Sequence, residues 1–187
     1  YVNPIDEIID IRRSQVLMTG EIPKSVADTL RNMERQGNPW GIPPEDRMNW
    51  AEGLDLRGTD PEQEVDVLVF LGCSMAFDER NKKIARAMIN LLEQNDVDYA
   101  ILGFDEMCCG ETARRLGHEY VFQVMAEENI QLLNEMKFKR IVTGCPHCFN
   151  TIKNEYPQLG GNYEVQHFTQ LMNELNVKLM SNGQKIT

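Results

Sequence analysis

The sequence lacks several features that define whole classes of protein. It contains no run of about 18 apolar residues, which excludes a membrane-spanning helix from this stretch. Its 19 basic residues are outnumbered by 29 acidic ones, and the net charge of −10 argues against a nucleic-acid surface. No signal peptide is visible. The acidic character fits a cytosolic protein that meets a basic partner, or serves solubility alone.

Cysteine is also scarce, with five residues in a chain of 187. An odd number does not fit a secreted disulfide framework, which normally uses an even number in a shorter chain. Buried, unreactive thiols are one interpretation of these cysteines. Reduced thiols that hold a metal in a reducing compartment are the other, and the grouping of the cysteines favours it.

The five cysteines fall into three groups, which are Cys73, Cys108-Cys109 and Cys145-x-x-Cys148. Thirty-four residues separate the first group from the second, and thirty-five separate the second from the third. Each group follows an apolar run that is typical of a buried strand, and these runs are 65–71, 97–102 and 138–142. Because ligand sites form where parallel strands end, we expect the three groups to meet there.

Helical patterns alternate with these strands. Asp78 can cap a helix whose buried side is predicted at Ile84, Ala85, Met88, Leu91 and Leu92. A longer helix is predicted over 112–136, with Gly117 as a break near its start and Tyr120 among its buried residues. The remaining elements are a helix over 148–156, a strand at 163–165 and a helix over 168–175. This alternation predicts an α/β fold with a parallel sheet.

The first third of the chain has a different character. We interpret residues 1–60 as an arm that is partly helical and partly irregular, and residues 61–187 as the cysteine-containing domain. Two short helices are predicted before Gly37, and a stretch rich in proline and glycine follows. We expect Trp40 and Trp50 to pin the arm to the next domain rather than to bind a ligand.

The number of cysteines bears on the kind of metal. Thiolates select zinc, Cu(I) and iron–sulfur clusters. Structural zinc takes four ligands in a tetrahedron, and five cysteines exceed that number. Adjacent side chains such as Cys108 and Cys109 cannot easily reach one small ion, whereas a multi-iron cluster spreads its metals over several ångströms. The constellation therefore favours an iron–sulfur site.

The residues beside the cysteines suit such a site. Gly72, Gly110 and Gly144 would let the backbone approach a cluster closely and direct N–H groups toward it. Pro146 would stiffen the turn between Cys145 and Cys148. We therefore expect these residues to support the metal ligands.

The histidines are weaker candidates. We interpret His147 as a supporting or surface residue, with a metal ligand and a proton donor as alternatives. His118 and His167 are interpreted as ordinary packed or exposed histidines. The Cys145-x-x-Cys148 pair by itself would fit thioredoxin-like dithiol exchange, which we keep as a minor alternative. The three remote cysteines argue against it as a full account.

The order Cys73, Cys108-Cys109-Gly110, Cys145-x-x-Cys148 resembles the CCG, or cysteine-rich, domain of heterodisulfide reductase-related iron–sulfur proteins. The resemblance covers residues 65–170, and both long gaps fall within the range that the family uses. It implies a small, Rossmann-like domain with a parallel sheet.

The arm adds a narrower resemblance. The stretches 38–40 and 50–55 are similar to the segment before the first CCG domain in electron-transfer-flavoprotein:menaquinone oxidoreductases and related proteins. In those proteins a ferredoxin-like domain precedes the arm, and a second CCG domain follows. This chain has neither the ferredoxin cysteines nor a second set, and it begins with Tyr1. We therefore expect it to be a fragment of a longer protein.

The resemblance implies a noncubane [4Fe–4S] cluster held by Cys73, Cys108, Cys109, Cys145 and Cys148, with zinc as the alternative. It implies an electron-transfer component of an anaerobic oxidoreductase, acting between a flavoprotein or dehydrogenase and a quinone or disulfide acceptor. A catalytic heterodisulfide reductase subunit and a zinc-stabilised interaction module are the alternative functions.

The resemblance also bears on partners and location. It implies an electron-transfer protein as the partner, either a flavoprotein or another iron–sulfur domain, and no nucleic acid. It implies a cytoplasmic protein. Association with the cytoplasmic face of the membrane would come through a membrane subunit or through other parts of a longer chain.

Overall fold

The computed structural model describes residues 4–20 and 22–177. Four strands form one sheet in the order β2-β1-β3-β4, and all three pairings are parallel. The strands are β1 Val65–Val69, β2 Tyr99–Ile101, β3 Phe138–Thr143 and β4 Val165–His167. The predicted α/β class and the parallel sheet are confirmed.

The strands are shorter than the apolar runs that predicted them. β1 ends at Val69 because the N–H groups of Leu71 and Gly72 are bound by a carboxylate, that of Glu106, rather than by a neighbouring strand. The last strand begins at Val165, two residues later than predicted. Tyr163 instead turns its hydroxyl group toward the backbone of a helix.

Eight α-helices are found in the described residues. They are α1 Pro4–Ser14, α2 Lys24–Gln36, α3 Gly72–Phe77, α4 Glu79–Gln94, α5 Glu111–Arg115, α6 Glu119–Asn134, α7 Pro146–Asn150 and α8 Phe168–Glu174. π-Helical turns lie at Gln15–Thr19 and Thr151–Glu155, and 3₁₀ turns at Pro44–Ala51, Gly103–Asp105 and Tyr156–Leu159. None of the helices within residues 4–20 and 22–177 has the length and hydrophobicity to span a bilayer.

Helix α4 follows its predicted pattern with one exception. The Asp78 carboxylate accepts two N–H groups of the first turn, which confirms it as the cap. The buried residues of the helix are Ala85, Met88, Ile89 and Leu92. Ile84 is 42% exposed, so its predicted burial is wrong. It lies one residue before Ala85, the first buried residue of α4.

The long helix predicted over 112–136 is two helices. The break falls at Gly117, where the backbone is left-handed with φ of +92°. The buried face of α6 is formed by Val121, Phe122, Met125, Ala126, Asn129, Ile130 and Leu133. Tyr120 is 66% exposed, so its predicted burial is wrong. It precedes the buried face by one residue, and its side chain points to solvent.

Two apolar cores cover the two faces of the sheet. On one face Leu68 and Ile141 pack with α6 and α2. On the other face Val67, Val69 and Val142 pack with α4 and α8. Burial on both faces explains why β1 is almost continuously apolar in sequence.

The arm contributes to both cores. Leu30 and Met33 of α2 join the first core, and Trp50 joins the second with 2% exposure. Trp50 therefore pins the arm as predicted, whereas Trp40 is 51% exposed and the same prediction for it is wrong. The division of the chain at residue 60 stays a prediction.

The strand order creates a crevice at one edge of the sheet. β1 leads to β2 on one side, and β3 leads to β4 on the other. The connections after β1 and β3 therefore run in opposite directions, and ligands bind at such a switch point in open parallel sheets. The three cysteine groups follow β1, β2 and β3, which are neighbours in the sheet.

A close contact at Gly117 docks α1 on the rest of the molecule. A Cβ atom on Gly117 would lie 2.5 Å from the carbonyl carbon of Arg12. We expect Gly117→Ala to lower the free energy of unfolding by about 2–4 kcal/mol, since it adds a clash to left-handed strain. Denaturant unfolding measures this.

Gly160→Ala is the matched control for that change. Gly160 has nearly the same backbone conformation, with φ of +90°, but a Cβ there meets open space. We expect a loss of about 1–2 kcal/mol from strain alone. Equal losses for the two variants would contradict the proposed docking of α1 on Gly117.

Candidate metal centre

The five cysteines lie where the three predicted groups were expected, at the ends of neighbouring strands. Cys73 is in the first turn of α3, directly after β1. Cys108 and Cys109 lie between β2 and α5, and Cys145 precedes the first residue of α7. Cys148 is inside α7. None of the five forms a disulfide.

The five thiols lie close together in or against the first core. The Sγ atoms of Cys73 and Cys108 are 3.6 Å apart. The pKa values of the other thiols are shifted mainly by thiol neighbours, which pair Cys108 with Cys109, Cys109 with Cys148 and Cys148 with Cys145. We call this arrangement the thiol row. The sheet topology therefore joins three groups that are more than thirty residues apart in sequence.

The thiol row is buried in the middle and more open at its ends. Cys108, Cys109 and Cys148 are 2%, 3% and 3% exposed and belong to the first core. Cys73 and Cys145 are half-buried and pack against that core. Solvent or a ligand can therefore reach the row at its two ends.

The thiols differ in their acidity. The pKa of Cys108 is held well below its ordinary value by hydrogen bonds from Cys109 and then Cys73. A hydrogen bond from Cys148, with backbone N–H groups at the start of α7, lowers the pKa of Cys145 to about 6. The pKa values of the other three are raised, first by their hydrogen bonds within the row. These shifts favour the thiolate, the form that binds metal, at Cys108 and Cys145.

The row suits a cluster better than a single ion. In the part of the chain that the structure describes, no group of three or more Cys, His, Asp or Glu side chains is arranged around one metal ion. Zinc would need four such ligands in a tetrahedron. An iron–sulfur cluster is held by thiolates bound to different irons, so its ligands need not converge on one point. The donor set and its extended geometry therefore fit an iron–sulfur cluster.

The neighbouring glycines have different surroundings. Gly72 has φ of +76°, and a Cβ there would lie 2.7 Å from the Sγ atom of Cys148. Glycine is therefore required for the close approach of this backbone to the thiol row. A Cβ on Gly110 would meet Phe122, and one on Gly144 would meet Met75, so these two glycines permit close packing of apolar side chains.

The comparison with protein families agrees with this arrangement. Residues 67–153 match the family model of the cysteine-rich domain called CCG. This segment is a CCG domain. It begins in β1 and ends just after α7, so it contains all five cysteines.

Known proteins resemble the chain well beyond the CCG domain. The EtfAB:quinone oxidoreductase of Syntrophomonas wolfei is 39% identical over 183 residues, which are 94% of this chain and 25% of that protein. The probable iron-sulfur-binding oxidoreductase FadF of Bacillus subtilis is 40% identical over 178 residues, 91% of this chain and 25% of FadF. The chain thus spans about a quarter of the length of these relatives.

A more distant relative extends the comparison. It is one of the subunits of the dihydromethanophenazine:CoB–CoM heterodisulfide reductase of Methanosarcina barkeri, and it is 29% identical over 144 residues. The match covers 74% of this chain and 34% of that relative. No solved structure matches the chain at a significant level. The relatives are thus iron–sulfur or oxidoreductase proteins by name.

Glu106 supports the CCG domain at the strand ends and was missed from sequence. Its carboxylate is buried and accepts the N–H groups of Leu71 at 2.9 Å and Gly72 at 2.7 Å. Arg47, from the arm, pairs with it at 3.3 Å and is equally buried. Burial is the main cause that raises the pKa of Glu106, and the Arg47 charge opposes it. An acidic residue two positions before Cys108, in an apolar stretch, was the available signal.

Asn129 and Tyr156 hold the adjacent cysteines from the other side. The Asn129 amide donates to the carbonyl of Cys108 at 3.0 Å, and the Tyr156 hydroxyl donates to the carbonyl of Cys109 at 3.1 Å. The two side chains also contact each other at 3.2 Å, and both are fully buried. A polar residue on the buried face of α6 was a signal that sequence reasoning missed.

The arm touches the site through its backbone as well. The N–H of Cys108 donates to the carbonyl of Gly37 at 3.1 Å, just after the end of α2. On the opposite flank, the N–H of Cys145 donates to the buried hydroxyl of Thr143 at 3.2 Å. Backbone groups at both ends of the site are therefore fixed without help from a metal.

A groove of about 520 Å³ opens beside the site, between the end of α2, the loop before Cys108 and α6. Phe104 and Tyr120 line it with exposures of 63% and 66%. Met107, next to Cys108, also lies in its wall. The groove therefore brings the exposed side chains of Phe104 and Tyr120 close to Met107, the residue before the candidate ligand Cys108.

The histidines take up separate roles. His147 is exposed on α7, and its backbone N–H donates to Cys145. The His118 side chain caps α6, and the His167 side chain caps α8 and contacts the carbonyl of Gly144 at 3.1 Å. The last two are therefore structural in the described part of the chain, as expected.

The Tyr156 hydroxyl is expected to stabilise the cysteine backbone. Tyr156→Phe would leave the buried carbonyl of Cys109 without this donor. We expect the free energy of unfolding to fall by about 1–3 kcal/mol, the typical effect of an unsatisfied buried polar group. Denaturant unfolding under reducing conditions measures it.

Tyr163→Phe serves as the control for that change. The Tyr163 hydroxyl also bonds a carbonyl, that of Ile130, but this residue is more exposed and water can replace the bond. We expect a loss below about 1 kcal/mol. A loss as large as that of Tyr156→Phe would contradict the special role of the buried hydroxyl.

Proposed function

We propose that Cys73, Cys108, Cys109, Cys145 and Cys148 of this CCG domain hold an iron–sulfur cluster, and that the domain serves as an electron-transfer component of an oxidoreductase. The thiol row at the meeting of three strand ends is the observation that carries the proposal. The names of the relatives support it. Such a cluster, when bound, accepts and releases single electrons.

We further propose a noncubane [4Fe–4S] cluster. An ordinary [4Fe–4S] cluster takes four thiolates, and the row offers five. Cys108 and Cys109 are adjacent in sequence, and both are buried in the first core together with Cys148, which supports the use of both. This cluster type is the one that the family resemblance implies.

The protein contributes binding, orientation and exclusion of water. Hydrogen bonds within the row lower the pKa values of Cys108 and Cys145 and so favour their thiolate forms. The carbonyls of Cys108 and Cys109 are fixed by Asn129 and Tyr156, so the ligands are oriented before anything binds. The apolar core around the middle of the row keeps water away from the ligand sulfurs.

The proposed electron donor is a flavoprotein or dehydrogenase, and the proposed acceptor is a quinone or a disulfide. The Syntrophomonas relative is named EtfAB:quinone oxidoreductase. This name supports a flavoprotein as the donor and a quinone as the acceptor. Since the chain spans about a quarter of that relative, the remaining parts of such an electron path would lie elsewhere. Location on the cytoplasmic side of a membrane likewise stays a prediction.

A second candidate function is catalytic reduction of a disulfide at the cluster. The likeness to part of a heterodisulfide reductase and the half-exposed ends of the thiol row favour it. The two functions differ in one observable. A disulfide reductase would consume the CoB–CoM heterodisulfide with a reduced viologen dye as donor, whereas a pure electron carrier would not.

Metal analysis tests the central proposal. Protein purified without oxygen should contain about four irons and four sulfides per chain, as a [4Fe–4S] cluster requires. Cys108→Ser and Cys109→Ser should each lower both contents, because each removes a thiolate ligand. His147→Ala is the control and should keep them, since the His147 side chain is exposed and its backbone N–H is retained in the variant.

Each other result of that analysis points elsewhere. Unchanged iron in both cysteine variants would contradict the five-thiolate site. Loss of iron in His147→Ala would make this histidine a ligand. One zinc and no sulfide in the wild-type protein would favour the interaction module instead.

Electron acceptance is measured separately. We expect the iron-loaded protein to oxidise photoreduced flavodoxin in stopped-flow mixing without oxygen, because the half-buried ends of the row bring a cluster close to solvent. The control is the same protein after its iron has been removed by a chelator. Equal oxidation rates with and without iron would refute a role in electron transfer.

A further inference from the structure

Arg47 is the most unusual charged residue of the described chain. It comes from the 3₁₀ turn of the arm, outside the residues that match the CCG family model, and is 4% exposed. Its guanidinium group donates to the backbone carbonyl of Glu106 and pairs with the Glu106 carboxylate. It also lies 5.6 Å from the ring centre of Phe77 in α3, the helix that carries Cys73.

Glu106 explains why a cation is needed there. Its carboxylate holds the N–H groups of Leu71 and Gly72 and thereby shapes the turn that leads into Cys73. Cys108 lies two residues further along the chain. The fold therefore uses a buried carboxylate to position two candidate ligands, beside thiols that become negative when they bind a metal.

A charge in this place acts strongly on a redox centre. A cluster that accepts an electron becomes more negative, so a nearby anion disfavours reduction and a nearby cation favours it. The effect is large in a buried site because the surroundings screen charges weakly. Arg47 lies close to the ligand-bearing segments. Its guanidinium group donates to the carbonyl of Glu106, two residues before Cys108, and lies 5.6 Å from the ring centre of Phe77 in the helix that carries Cys73.

We propose that Arg47 offsets the buried Glu106 carboxylate and so keeps the reduction potential of the cluster higher than Glu106 alone would set it. The inference rests on the proposed iron–sulfur function. It makes Arg47 a positioning residue of the arm, which does not touch the cluster but acts on it through Glu106 and through its charge. The arm and the CCG domain then form one electrostatic unit.

The test compares two variants that differ in a single charge. The single variant, Glu106→Gln, lacks the carboxylate but keeps the Arg47 charge. The double variant combines Arg47→Met with Glu106→Gln and lacks both charges. Reduction potentials are measured by redox titration followed by electron paramagnetic resonance, with iron content as a second readout. We expect the potential of the single variant to be more positive than that of the double variant.

A merely structural role of Arg47 gives a different result. If Arg47 served packing alone, its loss would lower the iron content. The molecules that retain iron would then have the same reduction potential in the single and the double variant. Equal potentials in the two variants, at wild-type iron content, would therefore overturn the inference. If Glu106→Gln loses its iron, Arg47→Lys and Arg47→Met decide instead. The Lys variant should lie near the wild type and the Met variant below it, and equal values would again overturn it.

Arg57→Met is the matched control. Arg57 forms an exposed ion pair with Asp98, the residue before the start of β2. The same charge is removed there, but solvent screens it, so the potential should equal that of the wild type. A shift as large as that caused by the loss of Arg47 would also overturn the inference.

The proposed function and this inference can fail separately. A wild-type protein without iron and sulfide would refute the proposed function itself. Iron-loaded variants with equal potentials would refute only the role of Arg47.

Discussion

Parallel pairing of β1 with both β2 and β3 is the constraint on which the rest of the structure depends. It brings the carboxyl ends of three strands to one edge, and each is followed by cysteine. No local feature of the chain could join Cys73, Cys108 and Cys145, which are separated by more than thirty residues. The sheet does so through the pairing of its strands, which needs no metal.

A buried thiol row also has to be kept in place. The chain does this with buried polar side chains that hydrogen-bond the backbone beside the cysteines. Asn129 and Tyr156 donate to the carbonyls of the adjacent cysteines, while Glu106 accepts the N–H groups before Cys73. Each of these hydrogen bonds satisfies a buried backbone group beside a cysteine, which avoids the penalty of leaving that group unpaired. The side-chain oxygen of Asn129, by contrast, has no hydrogen-bond partner among the described residues. The same bonds therefore stabilise the fold and preorganise the ligands.

The arm is part of this arrangement rather than a passive connection. Trp50 fills the core on one face of the sheet, and Gly37 and Arg47 reach the strand ends on which the cysteines lie. The irregular backbone around Asn38 is itself held by that residue, whose buried side-chain amide bonds four backbone groups within residues 36–42. The irregular part of the arm is thus fixed by hydrogen bonds just before the 3₁₀ turn that carries the buried Arg47.

Sequence alone determined the class of fold and the choice of the five cysteines as candidate ligands. Both depend on local properties, which are the spacing of apolar residues and the positions of the cysteines along the chain. It could not determine the ends of elements such as β1, where Glu106 removes the last N–H groups from the sheet. Tyr120 and Ile84 show the same limit, since one position of helical rotation separates a buried side chain from an exposed one. Glu106, Asn129, Tyr156 and Arg47 acquire their roles only from long-range contacts. The tertiary structure decided these because burial and hydrogen-bond partners are set by residues distant in sequence.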